Sequence, residues 1–328
     1  MKNYNPSVGY LKALGILLMV FGHSGNTIHI NHFIYMFHMP LFFIASGYCF
    51  KDKYLSTPRK YIYNKVKGIY WPYVKWSLLF LLLHNVCFNL HLYSDQYGWK
   101  EYVSHLYAPS EFLSLATSII FKMQEHEQLL GGYWFMNALF FGSLIVWLVI
   151  RYVKQPLCGG AILIVICTIL NKTCWQIPFI NISSQAFAAG LLIYIGYSLA
   201  KYRIKPFNYW QIALSLSITL IGSFVWNMAM DQNSYSNKRF IPYIITAVLA
   251  SWSFYSLFDK MKSSHGICAK ALDFIGKNTL TILTWHFLAF KLVSLVIIGI
   301  YGLPIERLAE FPVITEYSQQ GWWIAYFI

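Results

Sequence analysis

The chain has 328 residues, of which 57% are hydrophobic and only 11% charged, and its formal net charge is +13. Soluble globular domains average about 25% charged residues, so this composition excludes an ordinary soluble domain. Apolar runs near twenty residues recur along the whole length, and such runs cross a membrane as helices. We therefore predict an all-α fold, a polytopic transmembrane helical bundle.

The apolar segments predict about ten spans within a single transmembrane domain over residues 1–328. Nine of them, in chain order, are 8–28, 33–50, 69–93, 132–150, 157–171, 183–200, 210–230, 240–258 and 278–301. A tenth begins at the C-terminal "GWWIAYFI". Eight residues cover only about 12 Å as helix, against roughly 30 Å of hydrocarbon, so we expect this last span to be incomplete in the chain.

The charges predict that the N-terminus is cytoplasmic. With that orientation, most of the 25 lysines and arginines fall in inner loops, and most of the 12 acidic residues fall in outer loops. Basic inner loops are typical of membrane proteins and lie next to anionic lipid. The net positive charge therefore needs no nucleic-acid partner.

The longest outer loop, 94–131, is predicted to be extracytoplasmic and holds five acidic residues. Its stretch "APSEFLSLATSIIF" is compatible with a helix on the membrane surface, and a loop of this length is often functional or covers a site. The six cysteines show no metal-ligand spacing, so we expect no metal.

The first span contains two ionisable residues, Lys12 and His23, in "YLKALGILLMVFGHSG". Eleven residues on a helix make about 1100° of rotation and about 16 Å of rise, so both side chains face the same direction at different depths. Ionisable groups in a membrane usually face a protein-lined cavity. The alternative, open at this point, is that Lys12 snorkels to the inner headgroups and His23 makes a helix–helix hydrogen bond.

The second span brings another histidine to a similar depth. In "HFIYMFHMPLFFIASGYCF", His38 lies about 8 Å below the outer surface if the helix enters from outside. Pro40 removes a backbone donor there, and Ser46-Gly47 allow close helix packing further in. Two histidines therefore flank one predicted cavity.

Later spans add further candidates. The fourth opens with "GGYWFMNALFF", which contains Trp134 and Asn137, although an interfacial tryptophan is most often an aromatic-belt residue. The ninth, "GKNTLTILTWHFLAF", has Asn278 at its inner end and His286 near the middle of the membrane.

Taken in order, these segments resemble the membrane-bound acyltransferase-3 family, whose bacterial members O-acetylate cell-surface glycans, for example at fucose-like sugars. Five motifs carry the resemblance, which spans about residues 8–290. The first three are the basic residue and histidine of the first helix, the stretch "FHMPLFFIASG" and the stretch "NKVKGIYWPY". The other two are the Trp-Phe start of a later helix and the late Gly-Lys-Asn helix with its histidine. Two positions depart from the family pattern: Lys12 stands where many members have arginine, and Gly9 where many have an acidic residue.

The resemblance implies a multi-pass protein of the bacterial inner membrane that uses acyl-coenzyme A, most often acetyl-CoA, to acylate a hydroxyl of a cell-surface or lipid-linked glycan. Acyl transfer needs a base for the hydroxyl and stabilisation of an oxyanion. His23 is the predicted base, because desolvation keeps an imidazole neutral, and His38 is predicted to orient it or to donate to the oxyanion.

Coenzyme A is anionic, so the resemblance also implies cations at the inner end of the cavity. Lys12, Lys65 and Lys67 are the candidates for its phosphates, with an ordinary inner-loop role equally open for the last two. Ser46, Trp134, Asn137, Asn278 and His286 are further candidate site residues.

Several alternatives stay open on sequence alone. Direct transfer and an acyl-histidine intermediate both fit, and a homo-oligomer is compatible with the sequence. A transporter or flippase for a glycan or small solute is the main alternative function, since intramembrane histidine and lysine also suit proton coupling. A non-enzymatic subunit of a glycan-assembly complex is the other.

Overall fold

The computed structural model describes residues 5–98, 103–153, 155–173, 176–177, 181–225, 230, 240–263 and 266–328, and in this part of the chain the regular structure is almost entirely helical. A single antiparallel pair of two-residue strands, Gln176–Ile177 and Ile182–Ser183, is the exception among these residues. The all-α prediction is confirmed.

The helices follow one another with short connections. They are α1 Pro6–His23, α2 Ile28–Tyr35, α3 His38–Tyr48, α4 Lys53–Ser56, α5 Pro58–Lys65, α6 Trp71–Asn89, α7 Pro109–Lys122, α8 Trp134–Tyr152, α9 Pro156–Thr173, α10 Ser184–Lys201, α11 Tyr209–Val225, α12 Phe240–Met261, α13 Ile267–Lys277, α14 Thr279–Tyr301, α15 Thr315–Tyr317 and α16 Trp323–Phe327. Shorter 3₁₀ and π turns occupy Gln128–Leu130, Ile305–Ala309, Val66–Tyr70 and Ser318–Trp322.

A helix lies at each of the nine predicted spans. Among the described residues, five stretches are long and apolar enough to cross a membrane, by length and composition: Pro6–His23, Ile28–Tyr48, Trp134–Tyr152, Phe240–Met261 and Thr279–Tyr301. Pro156–Leu170 and Tyr209–Val225 are shorter apolar helices, and the end of the seventh predicted span, at 226–229, lies outside the described residues. The helical membrane bundle is confirmed, and the count of ten spans stays a prediction.

Glycines set the closest helix crossing. A Cβ atom on Gly47 of α3 would overlap the carbonyl oxygen of Ile193 in α10, and one on Gly196 of α10 would overlap the carbonyl oxygen of Ile44. Small residues of this kind let membrane helices approach to backbone contact. The predicted close packing at Gly47 is therefore present, and it holds α3 firmly against α10.

Two prolines explain the irregular turns near the site. Pro40 has no N–H and its ring crowds the carbonyl four residues earlier, at Met36; the second span accordingly breaks there, with a non-helical φ of −145° at Phe37. Pro72 acts in the same way on Gly68, which lies in the π turn before α6. Both irregular turns border the cavity described below.

Ion pairs join residues that the charge count places on the same side of the membrane. Lys201 pairs with Asp52, Lys262 with Asp259 and Lys277 with Asp273, all predicted to be inner residues. Arg307 pairs with Glu310 and Glu316, and His105 with Glu111, all predicted to be outer residues. The division of the chain into two sides is thus consistent with its contacts.

Candidate functional site

Three histidines from three different helices come together on the side of the bundle where α1 ends. His23 ends α1, His38 begins α3, and His286 lies in α14. The ring centroids of His23 and His286 are 5.8 Å apart, and His23 is in electrostatic contact with His38. The structure therefore joins the two histidines flanking the predicted cavity with the one from the ninth span.

An aromatic residue that the sequence analysis did not single out links two of these rings. Tyr35 lies 6.5 Å from His23 and 5.3 Å from His38, measured between ring centroids. Its hydroxyl donates to the carbonyl oxygen of Gly22 at 3.0 Å. Tyr35 thereby fixes the end of α2 to the end of α1, and with it the relative position of His23 and His38.

The backbone fixes which nitrogen of two histidines carries the proton. Nδ1 of His38 lies 3.0 Å from the carbonyl oxygen of Ile34, and Nδ1 of His286 lies 2.9 Å from that of Leu283. A carbonyl oxygen only accepts, so each Nδ1 must donate, and a neutral ring then has a basic Nε2. Nε2 of His286 is buried and has no hydrogen-bond partner among the described residues.

An apolar cavity of about 360 Å³ runs from the inner side towards the histidines. This is within the roughly 300–1,000 Å³ typical of small-molecule sites. At its inner end it is lined by Lys12, Cys49 and Gly68. Met19, Met39 and Leu283 also line it, and each lies within one helical turn of His23, His38 or His286 along its own helix.

The three predicted basic residues occupy different environments. Lys12 is half-buried and lines the cavity. Lys65 donates to the Ser143 hydroxyl at 3.0 Å and lies over the Tyr61 ring, and burial lowers the pKa of its ammonium to about 8. Lys67 is exposed on the π turn next to Gly68. Only Lys12 of these three lines the cavity.

The remaining candidates divide into cavity residues and structural residues. Ser46 lines the cavity, and Trp134 is half-buried at the start of α8. Asn137 is buried, and its amide donates to the carbonyl oxygens of Met123 and Asn181, at 3.1 and 3.3 Å. Asn137 therefore ties the outer segments to α8.

Asn278 lies at the junction of α13 and α14. Its amide donates to the carbonyl oxygen of Phe274 at 2.8 Å, while the following residue, Thr279, lines the cavity. Asn278 thus helps to end α13 and to direct α14 along the cavity wall.

The predicted outer loop returns into the bundle. Its residues 99–102 lie outside the described part, and α7 falls where the surface helix was predicted, with Leu113 and Phe121 exposed. After α7 the chain buries Glu127, which binds Nδ1 of His84 at 3.1 Å. Nε2 of His84 lies 3.0 Å from the carbonyl oxygen of His105, so this ring joins two parts of the loop to α6.

Sequence reasoning missed this buried pair because His84 and Glu127 are 43 residues apart. A histidine and an acidic cluster were visible, but no spacing rule predicts that a loop folds back onto a helix. Among the described residues, no group of three or more His, Cys, Asp or Glu side chains is arranged to hold a metal ion.

The chain was also compared with known proteins. No curated protein and no solved structure matches it. A family model described as "Acyltransferase domain" matches residues 5–328, nearly the whole chain. The chain therefore belongs to the acyltransferase-3 family, as the sequence motifs predicted.

Proposed function

We propose that this membrane acyltransferase moves an acetyl or other small acyl group from cytoplasmic acyl-CoA to a hydroxyl of a cell-surface or lipid-linked glycan, in the bacterial inner membrane. The observation that carries the proposal is the convergence of His23, His38 and His286 beyond the outer end of a cavity whose inner end holds Lys12. A cationic side chain at the inner end suits an anionic donor that arrives from the cytoplasm. Histidine bases beyond the outer end suit a hydroxyl acceptor that arrives from the opposite face.

Each of these histidines has a separate task in the acyl transfer. The donor supplies a thioester, and the acceptor oxygen attacks its carbonyl carbon. The carbon–sulfur bond then breaks, and the thiolate of coenzyme A leaves as the free thiol with the proton that the acceptor hydroxyl gave up. His23 takes the proton of the acceptor hydroxyl as general base. His286, with its basic Nε2 and ring next to His23, positions that ring or shares its proton.

The hydrogen bond made by Nδ1 of His38 bears on which of its two predicted roles it can fill. Because Nδ1 donates to the carbonyl oxygen of Ile34, a neutral His38 has no second N–H to offer an oxyanion. His38 would donate from Nε2 only after that nitrogen has gained a proton. It therefore fits better as a residue that orients His23.

Replacement of the base tests the proposal. Purified His23→Ala protein, supplied with acetyl-CoA and deacylated surface glycan, should release thiol about 10²- to 10⁴-fold more slowly than wild type, as is typical of a lost acid–base group. His29→Ala is the matched control, since His29 is exposed at the start of α2, and it should keep wild-type turnover.

Three results would contradict the assignment in different ways. Near-wild-type turnover of His23→Ala would reject His23 as the base. A wild-type protein that releases no thiol but moves glycan across vesicle membranes would identify a transporter. Glycan assembly that survives loss of all three histidines would indicate a structural subunit.

A further inference from the structure

A buried carboxyl in the outer segment has one oxygen that the protein leaves unsatisfied. Glu125 lies just after α7, and its Oε1 accepts from the backbone N–H groups of His126 and Glu127, at 2.9 and 2.7 Å. Its Oε2 is buried and has no hydrogen-bond partner among the described residues. A buried polar atom without a partner is costly, so a bound group is expected to pair with it.

Two buried hydroxyls in α6 belong to the same neighbourhood. Tyr73 and Ser77 are one helical turn apart and almost fully buried. Their hydroxyls lie close to each other, and neither has a hydrogen bond of normal geometry to any described residue. Glu125 is in electrostatic contact with Tyr73 and with Tyr133. The Tyr73 and Tyr133 rings are 5.6 Å apart. Three buried oxygens that lack a regular partner among the described residues thus belong to one neighbourhood.

This polar group lies beside the outer half of the cavity. The Tyr133 hydroxyl is 2.7 Å from the Thr284 hydroxyl, and Thr284 lies two residues before His286. Met136 and Leu283, which neighbour Tyr133 and Thr284 along the chain, both line the cavity. Glu125 itself belongs to the loop that is predicted to be extracytoplasmic.

The chemistry fits a neutral polyol better than the donor. The phosphates of coenzyme A need cationic partners, and none of these groups is a cation, whereas hydroxyls of a sugar can both donate to and accept from such groups. Burial raises the pKa of the Glu125 carboxyl well above its ordinary value, so it does not require a cationic partner. Aromatic walls beside polar atoms are also typical of ligand sites.

We propose that Glu125, Tyr73 and Ser77 form the subsite that binds hydroxyls of the acceptor sugar. This inference rests on the proposed function and adds to it the place where the acceptor binds. The three residues are binding residues, and the bases described above remain the catalytic residues.

The test separates acceptor binding from donor binding. The probe is surface glycan from a strain lacking the gene, treated with mild alkali to remove O-acyl groups, and initial rates of thiol release are measured against glycan and against acetyl-CoA. Glu125→Gln and Tyr73→Phe should raise KM for the glycan about tenfold or more, from the loss of one buried hydrogen bond. KM for acetyl-CoA should stay within twofold. Glu111→Gln, a carboxyl exposed on the same loop, should change neither.

The outcomes distinguish this inference from the proposed function. Unchanged glycan KM in both variants, or an equal rise in both KM values, would overturn the subsite. If Glu125→Gln fails to fold, as judged by its thermal unfolding, Tyr73→Phe and Ser77→Ala decide by the same criterion. If the wild type releases no thiol, the proposed function fails. Saturation-transfer NMR of the same glycan then tests the subsite alone. The subsite is supported if the glycan binds to the wild-type protein and does not bind to Tyr73→Phe.

Discussion

At the scale of single residues, backbone carbonyl groups decide what the histidines can do. His38 and His286 each donate Nδ1–H to a carbonyl of the preceding turn, so both present a basic Nε2 when neutral. The sequence located these histidines by depth along each helix. It could not show the tautomer, since that depends on which acceptor the side chain reaches after packing.

Lys12 gives the prediction that belongs to this scale. As the lysine that lines the cavity, it is positioned to attract an anionic donor, and a charge-assisted contact is worth roughly 1.5–3 kcal/mol. Lys12→Ala should therefore weaken binding of coenzyme A about ten- to a hundredfold, measured by titration calorimetry in nanodiscs. Lys60→Ala changes an exposed lysine of the predicted inner loop and should bind coenzyme A as tightly as wild type. Equal affinities of the three proteins for coenzyme A would remove Lys12 from the donor site.

At the scale of helices, backbone contact between α3 and α10 positions His38. The crossing at Gly47 and Gly196 leaves no room for a side chain. Any displacement of α3 would also move His38 and Ser46, because both belong to that helix. The packing of these two helices is thus coupled to the geometry of the site.

Gly47→Ala tests this coupling. The added methyl meets backbone, which cannot rotate away, so we expect a loss of about 1–3 kcal/mol or more in stability and a lower thermal unfolding temperature in detergent. Gly299→Ala is the matched control, since nothing lies within 4 Å of its Cβ position in α14, and alanine is the better helix former. Equal unfolding temperatures for both variants would show that the α3–α10 crossing tolerates separation.

The helices were more predictable than the contacts between distant segments. Each of the nine apolar runs coincided with helix, the second with both α2 and α3, and Pro40 lies just after the break between those two helices. The motif histidines were also visible because each lies at a definite depth in its run. Lys65 was different: it binds Ser143, 78 residues away, and no local pattern carries that information. Glu125 was hidden for the same reason, because its neighbours come from α6 and from the start of α8.

At the scale of the whole molecule, charge and chemistry are separated along the membrane normal. The predicted inner loops hold most of the basic residues, Lys12 lies at the inner end of the cavity, and the histidines and Glu125 lie towards the other end. An anionic donor cannot cross the hydrocarbon core unaided, because buried charge is costly there. The distribution of charge between the two sides of the molecule therefore predicts that the donor enters from the cytoplasm alone.

Sealed vesicles of opposite orientation test this prediction. Inverted vesicles expose the cytoplasmic face, and on addition of acetyl-CoA they should release thiol, whereas right-side-out vesicles should react only after a detergent opens them. Vesicles that contain the His23→Ala protein give the background rate of thiol release for both orientations. The orientation itself is checked by peptide mapping with a membrane-impermeant maleimide, which should label Cys268, exposed in the predicted inner loop between the eighth and ninth spans, in inverted vesicles only. If sealed right-side-out vesicles react as fast as inverted ones while Cys268 stays protected, donor entry from the cytoplasmic side is wrong and the role of Lys12 at that end fails with it.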